Sequence, residues 1–465
     1  MTSIGLKAGP GLRYAAFFIL IFYLVIGTGI ISDDYNYTVT LKGKNFSSAL
    51  SPAYCIGTPL EIYTHFIWYY FLPVDRTVYF DLIKILYLIL SFYLISKFFG
   101  IFMDETRALL ASFLFIFFPT HDSTVYWFLG QYLTLSAAFY LYAYYLAHKN
   151  KFLAAILAAT AASFISYGSP VLAITLGLLF FLNRQFKKGM TLLIPNVVYS
   201  CYYIGVSAVF GYGAQRLPSR LDFGALAGQL TLQIATFADA MCGPSFWLKI
   251  YYSFFQLSKI SIFLGVAITA ILYKRYKKAG VSYDLKLLTA LIVLAAGSLL
   301  MFALTGAYPQ LAFNLGNRTT IFGSLLFTYL IVMLSAPRIL KIAVLAVLFF
   351  SILGISDHWK AFNIERRTIA RNIMNNADWK THEGFLYVTG NQYSSFGRLG
   401  HIELFTEEGG PALLFWMYSD GKVNAKPLNK RHTYKDGYLI DTKYGERMKV
   451  DREIGVYDSE KNLFL

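Results

Sequence analysis

The feature that most limits what this chain can fold into is a succession of apolar segments filling nearly everything before residue 357. Segments near 12–32, 78–98, 107–119, 126–147, 152–167, 168–182, 191–210, 254–273, 285–305, 319–336 and 339–356 are almost free of charge. About 20 apolar residues cross the ~30 Å hydrocarbon core of a bilayer as a helix, so the pattern predicts about eleven crossings. Charged residues make up only 14% of the chain, against roughly 25% in soluble domains. Two places strain the pattern. The run 107–119 is short, and its helix is expected to continue towards Trp127. The run 152–182 is broken at Tyr167-Gly168-Ser169-Pro170. As a single helix it would be about 46 Å long at 1.5 Å per residue, so it reads as two short crossings or a re-entrant pair.

The net charge of +15 is uneven: residues 1–356 hold 25 Lys and Arg against 11 Asp and Glu, and residues 357–465 hold 16 against 15. A nucleic-acid binder needs a basic soluble face, and the near-neutral C-terminal part offers none. Basic residues instead crowd alternate short connections, among them Lys97/Arg107, Lys149/Lys151, Arg184/Lys187/Lys188 and Lys274/Arg275/Lys277/Lys278. By the positive-inside rule those connections and the N-terminus are cytoplasmic, and eleven crossings leave the C-terminus external. Met1–Arg13 runs into the first span with no small-residue cleavage pattern, which reads as a retained helix and not a signal peptide. Cys55 and Cys242 fall on the external side, where a disulfide is an option. Cys201 lies in a span.

This predicts an all-α polytopic membrane domain, 1–356, with long external loops at 33–77 and 211–253, and a small α+β external domain, 357–465. The first loop holds an aromatic segment, Glu61–Leu72. In the second, Gly224–Phe246 is expected to be an amphipathic interfacial helix. In the C-terminal domain His358–Trp379 has helical spacing. Short runs at Phe385–Thr389, His401–Phe405, Leu413–Tyr418 and Gly437–Ile440, separated by turn residues, read as strands.

Few acids occur before residue 357, so their positions carry information. Asp33-Asp34 closes the first span, where partial desolvation raises a carboxylate's basicity; an acid pair here also serves simply to end a helix. His121-Asp122 succeeds Phe118-Pro119 at the external end of the third span and serves equally as an N-cap for the next helix. Asp34, Asp122 and His121 offer oxygen and nitrogen ligands to a divalent cation such as Mg²⁺ or Mn²⁺. Arg318, just before the tenth span, suits a lipid phosphate held bidentately, or is an interfacial snorkelling residue. Arg216 and Arg220 are further phosphate candidates with the same alternative. Tyr35 and Trp127 have rings suited to stacking on sugars. Lys84, in the second span, is close enough to the external end to snorkel.

Two acidic clusters and a lone arginine on one membrane face resemble the GT-C superfamily of membrane glycosyltransferases, in topology over residues 12–356 and most specifically in the acid pair of the first external loop. The Trp-Trp-Asp motif of the oligosaccharyltransferase branch is absent. The resemblance implies a sugar donor on a polyprenyl phosphate and a glycan, lipid or protein acceptor among membrane lipids. It makes Asp33 the general base, assisted by Asp34, with Asp122 and His121 shaping the acceptor or metal site and Arg318 on the donor phosphate. The sequons at Asn36, Asn45 and Asn317 lie beside these residues, where a glycan would obstruct them, so a bacterial inner membrane is expected. A polysaccharide polymerase or ligase, and a lipid-linked oligosaccharide flippase, are the competing readings. A flippase would place charges within its spans.

Overall fold

The computed structural model describes residues 10–42, 44–49, 57–210, 222–275, 283–306, 308–382, 384–389, 398–399, 412–419, 422–428, 432–442, 445, 447–450, 455–459 and 461–464. The chain is mostly helical, with a small sheet region near the C-terminus. Among the described residues, four helices are long and apolar enough to cross a membrane: Val78–Phe99, Phe186–Val206, Leu285–Thr305 and Arg338–Asn375. A fifth results if Phe223–Phe254 and Lys259–Lys274, bent by 114°, count as one broken span. Shorter apolar helices cover Gly11–Val25, Phe152–Ile165 and Ser169–Leu182. Side chains such as Leu86, Leu157, Val197, Phe263 and Ile292 lie exposed on these helices, as expected of surfaces that face lipid.

Several predicted spans are interrupted, each for a local reason. The first helix, Pro10–Val25, stops because Gly27, Gly29 and Ser32 adopt left-handed φ of +89°, +65° and +50°. The helix Glu105–Ile116 does not continue to Trp127. Phe118 is extended ahead of Pro119, as the residue before a proline tends to be, and a 3₁₀ turn, Pro119–His121, and a short helix, Ser123–Tyr126, come after it. Trp127 is extended again, so the next helix starts only at Gln131. Residues 152–182 form two helices, Phe152–Ile165 and Ser169–Leu182, parted at an extended Ser166, with Pro170 in the first turn of the second. Asp104, Asp222 and Asp284 cap helices by accepting from backbone N–H groups, so these acids have structural employment.

The described part of the second long loop is helical, Phe223–Met241 and Pro244–Phe254, so the expected helix Gly224–Phe246 is broken at Cys242-Gly243. The last apolar run ends near 356 but its helix does not: Arg338–Asn375 runs unbroken into the C-terminal part. There, strands β1 (Gly384–Thr389), β2 (Val423–Pro427), β3 (His432–Lys435), β4 (Tyr438–Asp441), β5 (Arg447–Lys449), β6 (Gly455–Asp458) and β7 (Leu463–Phe464) form two sheets. One has the order β2-β1-β6-β7, with β1 parallel to both its neighbours. The other is the antiparallel meander β3-β4-β5. Leu413–Tyr418 is not a strand. It lies within the helix Ala412–Tyr418, an apolar run whose length alone leaves helix and strand ambiguous. The strand expected at His401–Phe405 and the pairing of Cys55 lie outside the described residues.

Two apolar cores result. The larger fills the helical body. The smaller joins Tyr35 and Val39, Phe66, Tyr69, Phe80 and Phe128 to Ile369, Trp379, Leu386, Phe415 and Tyr457. The segment after the first helix is thus packed against the C-terminal helix Ala412–Tyr418.

Candidate functional site

Between the first helix and Asp33 the backbone makes no regular structure, yet most polar groups of residues 27–30 are satisfied by buried side chains. The Asp81 carboxylate accepts from the Gly27 and Gly29 N–H groups, each at 2.8 Å, and from the Thr28 hydroxyl. Lys84 Nζ donates to Thr28 Oγ1 at 2.7 Å and to the Gly29 and Tyr126 carbonyls, and pairs with Asp81 at 2.8 Å. Asn363 Nδ2 donates to the Gly27 carbonyl at 2.8 Å, and Arg366 donates to the carbonyls of Thr28 and Ile30. Asp81, Lys84 and Arg366 are all buried. Lys84 therefore does not snorkel: its ammonium is a clamp on this turn, held inside by an anion and by backbone carbonyls. Gly29 is required twice over. Its φ is left-handed, and a Cβ there would collide with the Asn363 side-chain amide. Gly29→Ala is expected to destabilise the protein by about 1–3 kcal/mol, read as a fall in the thermal midpoint in detergent.

The clamped turn delivers two aspartates in the first turn of a new helix, Asp33–Lys42, and gives them different environments. Asp33 is exposed. Asp34 is fully buried and accepts from the Ile31 N–H at 2.9 Å, the Tyr69 hydroxyl at 2.6 Å and the Leu129 N–H at 3.2 Å. Burial pushes the Asp34 carboxyl up from 3.8 to about 6, against the pull of those hydrogen bonds and of Lys84. The folded state thus holds its proton more tightly than the unfolded chain. Asp34 contributes most stability below about pH 4, loses it as pH rises to about 6, and changes little above that. At 1.36 kcal/mol per unit this amounts to about 3 kcal/mol. The cost of Asp34→Asn relative to the native chain is expected to be larger at pH 4 than at pH 7 by up to that amount. Paired thermal melts at the two pH values check this; a cost independent of pH would contradict it.

His121 and Asp122 occupy the irregular stretch between Phe117 and Gly130. Asp122 does not cap the helix after it. Its carboxylate pairs with Lys249 at 2.7 Å, accepts from Asn317 Nδ2, and accepts from the Trp359 indole at 2.8 Å. Lys249 also donates to the Ala312 carbonyl, and Asn317 accepts from Ser123. Asp122 is therefore a buried junction of four chain segments. His121 is buried beside it, with Nδ1 2.8 Å from Thr124 Oγ1 and its ring stacked on Phe118. Asn317 is fully buried, so its sequon cannot carry a glycan in the folded chain.

Arg318 stands on the 3₁₀ turn Leu315–Thr320, which Asn314 caps by accepting from the Gly316 N–H. Its guanidinium lies 5.0 Å from the ring of Trp127 and 5.0 Å from that of Tyr308, and Nη1 donates to the Leu315 carbonyl at 3.1 Å. Tyr132 and Tyr167, joined hydroxyl to hydroxyl at 2.7 Å, stand nearby. An arginine flanked by rings keeps its planar fork aligned for bidentate contact.

The break Trp127–Gly130 therefore ties the expected site residues together: Trp127 carries Arg318 on its ring, and two residues on the Leu129 N–H holds Asp34. Tyr35 is buried against the smaller core. Arg216 and Arg220 lie outside the described residues. The expected metal set does not assemble. Asp34 and Asp122 sit in separate hydrogen-bond networks, Asp122 is already neutralised by Lys249, and among the described residues no group of three His, Cys, Asp or Glu is placed to hold an ion. Residues not anticipated are Asp81, Lys84, Lys249, Asn317, Trp359 and Arg366. The available signal was Asp81 and Lys84 one helical turn apart in an apolar run, a spacing that pairs charges where isolated ones are costly. No protein-family model matches the chain, and no curated protein matches it.

Proposed function

We propose that this chain is an integral-membrane glycosyltransferase of the GT-C kind, which takes a sugar from a polyprenyl phosphate and passes it to a glycan, lipid or protein acceptor on the external face. The supporting observation is the shared break Trp127–Leu129, which ties Asp34 of the clamped acid pair and an aromatic-flanked arginine to one short segment. Irregular backbone inside a helical membrane protein is tolerated where it is buried in protein or lines a cavity. The interruptions after Val25, Ile116 and Tyr126, and the turn before Ile321, supply it.

In this reading Asp33 takes the proton of the acceptor hydroxyl as its oxygen attacks the anomeric carbon. The bond from that carbon to the phosphate oxygen breaks, and the charge left on the phosphate meets the Arg318 fork. Direct displacement inverts the anomeric centre. Asp34, buried and saturated, positions Asp33 and does not take part itself. No step is assigned to a metal. The full topology belongs to the same proposal: eleven crossings in a bacterial inner membrane, N-terminus cytoplasmic, C-terminal domain external. Consumption of polyprenyl-phosphate sugars by the purified protein tests it; no consumption with any sugar of a broad panel overturns it. Arg318→Ala is expected to raise the donor KM by about tenfold or more, as befits a charge-assisted bond, with little change in acceptor KM. Arg318→Lys is expected not to restore it, because an ammonium lacks the planar fork.

The buried Asp81–Lys84 pair inside an apolar helix favours a second reading, a transporter, in which such charges line a path. Saturation of both groups by the turn 27–30 favours the clamp. Movement of a lipid-linked glycan in vesicles without donor cleavage would decide for transport.

A further inference from the structure

Beside the acid pair, on the other side of its helix, a cleft opens between the membrane body and the C-terminal region, lined by Tyr35, Asp75, Arg367, Arg371, Leu414 and Tyr418 among others. We propose, on the transferase reading above, that this cleft binds an acidic sugar residue of the acceptor glycan, so that the preferred acceptor is a uronate-containing oligosaccharide. Arg367 and Arg371 are one turn apart on the long helix and exposed, and among the described residues neither is engaged in an ion pair. Two guanidiniums face one carboxylate, Asp75, so the cleft carries an excess positive charge. Guanidiniums of this kind recognise carboxylate in two parallel hydrogen bonds. Tyr418, only half-buried, adds a ring to the same wall, a surface that a sugar can cover and a bare anion cannot use.

The placement narrows the ligand further. Tyr35 comes two residues after Asp33, about 200° around a helix of 3.6 residues per turn, so the cleft and the exposed carboxylate are on different faces. The recognised acid is therefore not on the reacting sugar but further along the chain, about one helix diameter, ~10 Å, away. A lipid headgroup fits less well. The apolar run of the long helix ends near Ile355, and Arg367 stands about 18 Å beyond it at 1.5 Å per residue. The walls at that level are Asp75, the two arginines and the C-terminal helix Ala412–Tyr418.

The test is calorimetry on the full chain in phosphatidylcholine nanodiscs, with trigalacturonate and neutral galactotriose as probes. The acidic trisaccharide is expected to bind about tenfold or more tightly, and Arg367→Gln/Arg371→Gln is expected to abolish that preference without moving the thermal midpoint. Equal binding of the two probes, or a preference that survives in the double variant, overturns the proposal. So does loss of trigalacturonate binding when phosphatidylglycerol replaces part of the phosphatidylcholine, which assigns the cleft to lipid. Donor hydrolysis, in which water takes the sugar in place of the acceptor hydroxyl, is measured in parallel and reads the transferase assignment separately: the double variant is expected to match the native chain there.

Discussion

Asp33→Asn is expected to lower turnover by about 10²–10⁴-fold, the usual worth of a positioned general base, while leaving the thermal midpoint where it was. The two halves of that statement come from the same structural contrast. Asp33 is exposed at the start of its helix, and surface substitutions usually cost within about 0.5 kcal/mol. Asp34 is buried under three hydrogen bonds, so Asp34→Asn leaves an amide N–H facing the Ile31 N–H and costs about 1–3 kcal/mol in stability. The pair therefore separates by readout: Asp33 moves kcat alone, and Asp34 moves stability first. Measuring kcat and the melting midpoint for both variants is sufficient. Full turnover in both would remove the acid pair from the chemistry. Loss of turnover in a well-folded Asp34→Asn with Asp33→Asn active would exchange their roles.

Which parts of the fold and site were legible in the chain depends on which forces leave a local mark. Apolar runs do, because each helix buries its own backbone polar groups, and the runs around 78–98 and 285–305 return as Val78–Phe99 and Leu285–Thr305. The pause at Gly168-Ser169-Pro170 is a local chemical break and appears where expected. Interruptions caused by tertiary partners leave no such mark. The first helix ends at Val25, inside an apolar run, because Asp81, Lys84, Asn363 and Arg366 compete for the backbone of residues 27–30, and those partners are up to 338 residues away in sequence. Asp122 was legible as an unusual acid in the right region, but its partner Lys249 looked like one more loop lysine. The helix through Ser356 and Asp357 was read as a boundary because composition changes there; helical hydrogen bonding does not depend on whether the outer surface meets lipid or water.

Lys84→Met is expected to be the most destabilising single change in the turn, costing about 3–5 kcal/mol, the range for removing one partner of a buried pair. Met is close in volume and fits the fully buried space, so the loss is electrostatic: the Asp81 carboxylate loses its ammonium partner, and the Gly29 and Tyr126 carbonyls lose a donor. Replacing both partners, Asp81→Asn with Lys84→Met, is expected to recover part of that cost, because no uncompensated charge remains inside. A thermodynamic cycle of the two singles and the double isolates the coupling, and a single Lys84→Met costing under about 1 kcal/mol, far below that range, would show that the turn is held by other means. The same variant links the clamp to activity. The turn sets where Asp33 emerges, and a displacement of about 1 Å at a reacting group is worth about 10²-fold in rate. At a temperature where Lys84→Met remains folded, its kcat is expected to fall, yet the pH profile of kcat/KM keeps the shape of the native enzyme's because the base itself is untouched. Asp33→Asn, by contrast, is expected to erase the acidic limb of that profile, where protonation of the base lowers the rate. A Lys84→Met enzyme with native kcat would confine the clamp to folding and leave the placement of Asp33 to the smaller apolar core.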